Sequence, residues 1–170
     1  MTFTFKTVLL VSALALSACT NAARFGADGT DGAAASANQI VPGSVDDPTS
    51  VAYFQQAVGD RVLFPVDQAV LTPAGQSTLD GQAAWLASNP AYTAVIEGHA
   101  DEQGTREYNL ALGARRADTV RNYLISRGVA EARLKTVSFG KERPAEICSD
   151  EACYEKNRRS VTVLAAGVTG

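Results

Sequence analysis

The 170-residue chain contains a single histidine, and that scarcity removes a large class of chemistry. Common catalytic zinc sites draw on several imidazoles, which His99 alone cannot supply. Cysteine is also sparse: Cys19, Cys148 and Cys153 include no C-x-x-C pair for thiol exchange and no second pair for a structural zinc. Ser138 and Ser160 have no evident base beside them. Asp101 and Glu102 are neighbours on one loop, and adjacent loop residues often point apart, whereas glycoside hydrolysis needs two carboxylates flanking a cleft. These deficits argue against an enzyme, and no metal or cofactor is expected. Net charge is −3, or about −4 once Lys6 is removed, so the strongly basic face of a nucleic-acid binder is missing as well. The apolar run from Val8 to Leu16 is too short to span a bilayer.

What that run does have is the form of a secretory signal over residues 1–18, with one positive charge before it and small residues after it. Its end, Leu16-Ser17-Ala18-Cys19, resembles the bacterial lipobox. The resemblance implies cleavage before Cys19, lipid on its sulfur and new amino group, and stable anchoring by several acyl chains. Thr20 stands where inner-membrane lipoproteins commonly carry Asp, so an outer-membrane anchor facing the periplasm is implied. After Cys19 the chain to residue 48 is rich in Ala, Gly, Asp and Ser and lacks a sustained period, as a disordered tether would. It extends to roughly 100 Å at most, and to about 30 Å as a flexible coil. A stretch that orders on a partner is the alternative.

Residues 49–166 suffice for one domain and not for two. A short leading helix is predicted over Thr49 to Val58, and a strand over Arg61 to Val66, with Pro65 marking an edge or the strand's end. Thr72-Pro73 starts a helix as N-cap and first residue. Leu79, Ala83 or Ala84, and Leu86 form its apolar face, Trp85 packs, and Asn89-Pro90 stops it. A second strand spans Tyr92 to Glu97. The second helix, Thr105 to Arg127, has a stripe of Leu110, Ala114, Ala117, Val120 and Leu124, with Arg116 at its rim. Strands at Leu134 to Phe139 and Ser160 to Leu164 follow, joined by a loop. The order predicts a two-layer α/β (α+β) sandwich with a four-stranded mixed sheet and right-handed βαβ crossovers. With Cys19 assigned to lipid, Cys148 and Cys153 are left to pair in an oxidising compartment, worth roughly 2 kcal/mol for so short a loop.

The turn Gly98-His99-Ala100-Asp101-Glu102-Gln103-Gly104 and the helix after it combine a loop carboxylate with a helical guanidinium. That pair suits a zwitterion, since a guanidinium forks onto a carboxylate and a carboxylate takes an ammonium. An internal Asp101–Arg116 salt bridge is the other reading. The motifs Glu97-Gly98-His99-Ala100-Asp101, Asn109-x-x-Leu112-Gly113-x-x-Arg116-Ala117, Phe139-Gly140-Lys141-Glu142-x-Pro144 and Lys156-Asn157-Arg158-Arg159-Ser160-Val161 resemble those of the OmpA C-terminal-like, peptidoglycan-binding domains.

The resemblance implies noncovalent binding of the diaminopimelate in the cell-wall stem peptide. Asp101 would meet its ammonium and Arg116 its carboxylate, while amides of Gln103, Gly104 and Thr105 hold a second carboxylate. Leu112 packs under the ligand or belongs to the core. The family's usual Phe-Asp-x-Asp loop reads Phe64-Pro65-Val66-Asp67 here, so Asp67 keeps the later acid and Pro65 replaces the earlier one. His99 is read as a structural residue hydrogen-bonding the loop. One of Arg158 and Arg159 is expected to brace the ligand loop or Glu97, the other to be solvated. With the lipobox and tether, the resemblance further implies partners in the Tol envelope system, a TolB-like propeller and TolA, in envelope integrity and cell division. A protein-interaction hub serving mainly that propeller is the rival function.

Overall fold

The computed structural model describes residues 40–147 and 149–166. The expected signal, Cys19, the tether to residue 39 and Cys148 lie outside the described residues. Residues 40–48, read as tether, instead form hydrogen-bonded turns. The Asp47 carboxylate accepts from the amides of Gly43 and Thr49, and the Trp85 indole donates to the carbonyl of Pro48 at 2.8 Å. The expected leading helix is shorter and wider than predicted: Ser50 caps α1 (Val51–Tyr53), which passes into a π-helical stretch, Phe54–Gly59.

Strand β1 (Arg61–Leu63) stops short of the predicted Val66, because Pro65 has no N–H to continue a ladder; one further bond, Phe64 N to Arg158 O, closes it. Helix α2 (Pro73–Ser88) begins as predicted, with the Thr72 hydroxyl accepting from Gly75 N and Pro73 in the first turn. It buries Leu79, Ala83, Trp85 and Leu86. Strand β2 (Tyr92–His99) runs two residues past the prediction. Helix α3 (Arg106–Ser126) is capped by the Thr105 hydroxyl on Tyr108 N. Strand β3 (Leu134–Gly140) follows. The stretch expected to be a loop contains helix α4 (Glu151–Asn157), capped by the Asp150 carboxylate on Cys153 N, and β4 (Arg159–Ala166) ends the fold.

The sheet order is β1-β4-β2-β3. β2 and β3 are adjacent and parallel, joined by α3, whereas β4 pairs antiparallel with both β1 and β2. β1 and β2 therefore run parallel with β4 inserted between them. α2 and α3 cover the face that presents Val62, Ala94 and Ile96, and Ala117, Val120 and Leu124 complete that core. The α3 stripe is rotated from the prediction. Leu110 and Ala114 are half-buried, while Asn109, Leu112, Gly113 and Arg116 join the buried side. That rotation decides where the polar residues point. Among the described residues, no helix is long and apolar enough to cross a membrane.

Candidate functional site

Two glycines set the distance between α3 and β2. A Cβ on Gly98 would lie 1.8 Å from the Gly113 carbonyl oxygen, and one on Gly113 would lie 2.4 Å from Ser138 Oγ. Only a bare backbone permits this approach, and the Ser138 hydroxyl fastens it by donating to Leu110 O at 2.7 Å. With α3 so close, the loop from Ala100 to Thr105 must turn tightly into the helix. Asn109, fully buried, holds the turn by donating to the carbonyls of Asp101 (3.3 Å) and Gln103 (2.8 Å). Lys141 closes it from outside, donating to Gly104 O at 2.8 Å.

Asp101 is 7% exposed. One carboxylate oxygen accepts from Gln103 N at 3.2 Å, and the other from Arg158 Nη1 at 3.2 Å. Its ionic partner is thus Arg158, and no Asp101–Arg116 salt bridge forms among the described residues. Arg158 also donates to Phe64 O and to the Glu151 carboxylate. Burial alone would lower its pKa, but the hydrogen bonds to Glu151 and Asp101 outweigh that and hold it above the usual guanidinium value. One arginine of the pair was expected to be solvated, but Arg159 is buried as well as Arg158, and it donates to the carbonyls of Asn157 and Arg143.

Arg116 departs most from expectation. Its head does not stay at the rim: the side chain is fully buried over the Phe64 ring. Nε donates to Gln68 O at 2.8 Å, Nη1 to His99 O at 2.8 Å, and Nη2 to Pro65 O at 3.1 Å. Burial lowers its pKa to about 10, partly offset by the charge of Asp101, so it remains a cation at neutral pH. The physical reason for burial is the open loop between β1 and α2, whose carbonyls have no ladder partner and take the guanidinium instead. His99 contributes that carbonyl, but its ring does not hydrogen-bond the loop as expected. The imidazole is buried, stacks on Phe139 with ring centroids 5.6 Å apart, and both ring nitrogens lack hydrogen-bond partners among the described residues. Burial, and then the charge of Arg159, lower its pKa to about 4.

The loop after β1 and the start of α3 enclose a recess of about 260 Å³. Val66, Asp67, Asp101, Gln103, Gly104, Tyr108, Asn109 and Leu112 line it. Asp67 adopts φ 55°, unusual for a non-glycine residue, and its carboxylate accepts the Tyr108 hydroxyl. That bond raises the Tyr108 pKa. Leu112 is buried and also lines the recess.

Of the residues singled out in sequence, Asp67, Asp101, Gln103, Gly104 and Leu112 meet at the recess, Thr105 caps the helix beside it, and Arg116 lies behind it. Gln103 N is taken by Asp101, which leaves the amides of Gly104 and Thr105 without hydrogen bonds among the described residues. Pro65 is not part of the wall; its carbonyl is turned to Arg116. Val66, Tyr108 and Asn109 were not foreseen as lining. Asn109 had a signal, since it precedes Leu112 and Arg116 by three and seven residues on the same helix side. Cys153 is buried and disulfide-bonded.

The OmpA family model matches residues 63–158 of the chain. A peptidoglycan-associated lipoprotein of Rhizobium meliloti is 48% identical over 157 residues, covering 92% of this chain and 85% of the relative. One from Mesorhizobium japonicum is 47% identical, covering 92% and 89%. Among solved structures, the peptidoglycan-associated lipoprotein from Burkholderia pseudomallei superposes with a TM-score of 0.63 at 38% identity, covering 71% of this chain and 98% of that one. The C-terminal domain of Helicobacter pylori MotB, at 19% identity and a TM-score of 0.60, shares the fold and covers 64% of this chain and 86% of its own.

Proposed function

The chain belongs to the OmpA family, and from that premise we propose that it is an outer-membrane lipoprotein whose domain grips peptidoglycan without a covalent bond. It acts by binding and is not an enzyme. The observation that carries this reading is the recess itself: a nearly buried carboxylate, Asp101, set among the apolar surfaces of Val66, Tyr108 and Leu112. Such a site takes an ammonium borne on an alkyl chain, as at the diaminopimelate residue of a stem peptide. Asp101 pairs with the ammonium. The unbonded amides of Gly104 and Thr105, at the positive end of α3, receive a carboxylate. Arg116 holds the walls through Pro65, Gln68 and His99 and supplies a fixed positive charge from behind. A direct fork onto the ligand requires those carbonyls to release it.

In this scheme the lipid on Cys19 holds the outer membrane, the segment after it spans to the wall, and the domain binds and releases. The Tol machinery, through its propeller protein and TolA, shifts that balance during envelope maintenance and cell division. Cys148 and Cys153 close a disulfide that anchors α4. The hub reading has one observation in its favour: exposed Val66 and Tyr108 offer an apolar rim at the recess, which a protein partner can cover.

Co-sedimentation of the purified protein with isolated peptidoglycan tests the scheme, with melting curves as a check on folding. Asp101→Asn should weaken binding by at least about tenfold, since losing one partner of a buried charge pair costs about 2–5 kcal/mol. Arg116→Lys keeps the charge and should weaken binding less. If Asp101→Asn pellets with the wall as well as the unaltered protein does, the site is elsewhere; if the unaltered protein stays in solution, the hub reading takes over.

A further inference from the structure

We propose that Arg158 is a positioning residue for the recess, acting on the ligand through Asp101, with Glu151 tuning the charge that Asp101 presents. The inference rests on the reading above, that the recess takes an ammonium group. Arg158 is 4% exposed and does not line the recess. Its three donor positions reach three separate segments: Nε to Phe64 O at 3.3 Å, Nη1 to Asp101 Oδ2 at 3.2 Å, and Nη2 to the Glu151 carboxylate. The Arg158 carbonyl also accepts from Phe64 N at 2.9 Å, so main chain and side chain both hold the end of β1. One guanidinium thus ties the end of β1, from which Val66 and Asp67 follow, to the loop bearing Asp101. It sets the separation of the two walls.

The same bond orients the carboxylate. An ionised carboxyl has about four acceptor directions, and Gln103 N and Arg158 occupy one on each oxygen. Those remaining are available to an ammonium. Charge is the complication, because a lone cation beside Asp101 would cancel the attraction for a second one. Glu151 removes that conflict. Arg158 is shared between two carboxylates, and the Asp101–Arg158–Glu151 group keeps one net negative charge for the ligand. Glu151 does this from the surface, its side chain 65% exposed and outside the recess.

The test measures affinity of the purified protein for meso-diaminopimelate and for its N,N′-diacetyl form. Arg158→Gln, Arg158→Lys and Glu151→Gln are each made alone and with Asp101→Asn. Unaltered protein should prefer the free amine by about tenfold or more. Arg158→Gln should lose that preference, and Arg158→Lys should recover part of it. Glu151→Gln, which leaves the buried fork in place, should weaken amine binding several-fold, with the loss shrinking as salt rises. Combined with Asp101→Asn, none of the three should weaken binding further. Equal losses with and without Asp101, or an undiminished amine preference in Arg158→Gln, overturn the proposal. If Arg158→Gln does not fold, an unchanged Glu151→Gln does the same. Failure of the unaltered protein to bind diaminopimelate overturns the ligand reading itself, and this inference with it.

Discussion

At each end of β2 an arginine gathers three backbone carbonyls, yet the two ends use that arrangement differently. At the Tyr92 end, Arg133 donates to Tyr92 O (2.8 Å), Leu86 O (3.0 Å) and Asn89 O (2.9 Å). Leu86 and Asn89 lie at the C-terminus of α2, where carbonyls lack intrahelical partners and a cation is favoured by the helix dipole. That guanidinium is half-buried and completes a helix. At the His99 end, Arg116 is wholly buried, and two of its three carbonyls, from Pro65 and Gln68, belong to a loop with no regular structure. There the guanidinium stands in for a ladder. The same hydrogen-bonding habit finishes an element at one end and defines a wall at the other. A wall shaped by side chains can present irregular features such as Asp67 at positive φ.

The largest effect should come from forcing the His99 end apart. Gly98→Ala puts a methyl 1.8 Å from a carbonyl oxygen, and a loss of more than about 5 kcal/mol is expected, leaving no cooperative melt. At the other end Gly128→Ala meets no atom within 4 Å and suffers only from its φ of 94°, so about 1 kcal/mol is expected. Next come the arginines themselves. Arg116→Met removes a fully buried cation and its three hydrogen bonds to the carbonyls of Gln68, His99 and Pro65, and should cost about 3–5 kcal/mol in urea unfolding, against about 1 kcal/mol for Arg133→Met. Equal losses would mean that burial at the recess adds nothing.

Acid should separate the ends further. His99 has a folded pKa of about 4 against 6.5 for the ordinary side chain. Between those values the unfolded chain holds a proton that the folded one lacks, so stability falls as pH drops from about 6.5 to about 4 and then levels off. The loss is at most about 3 kcal/mol. His99→Phe should flatten that part of the stability profile, whereas Arg133→Met should leave its shape unchanged. The smallest effect belongs to Arg133→Met itself, a modest and pH-independent drop in melting temperature.

Local signals were legible wherever cause and effect lie within one turn. Thr72-Pro73 and Thr105 cap their helices, Asn89 ends α2, and Trp85 packs in the core. The α3 stripe was misread because Leu110 and Ala114 outrank Asn109 and Arg116 on any hydropathy scale. Two glycines at the β2–α3 contact and a set of unpaired carbonyls reverse that ranking in the folded chain. Helix α4 was missed: its seven residues carry only Ala152 and Cys153 as small apolar residues beside Tyr154, too few for a period to show.

The sequence by itself determined the class of the fold, the family, the helix caps and most of the residue types around the recess. These follow from residues a few positions apart, where backbone sterics and capping act directly. Only the tertiary structure decided the partners: Asp101 with Arg158, 57 residues away, Asp67 with Tyr108, 41 away, and Arg116 with Pro65, 51 away. Those pairings depend on β4 entering the sheet between β1 and β2, which brings Arg158 to the end of β1 beside the Asp101 loop. A buried guanidinium takes whichever carbonyls and carboxylates the topology leaves unpaired, and the sheet order selects among them.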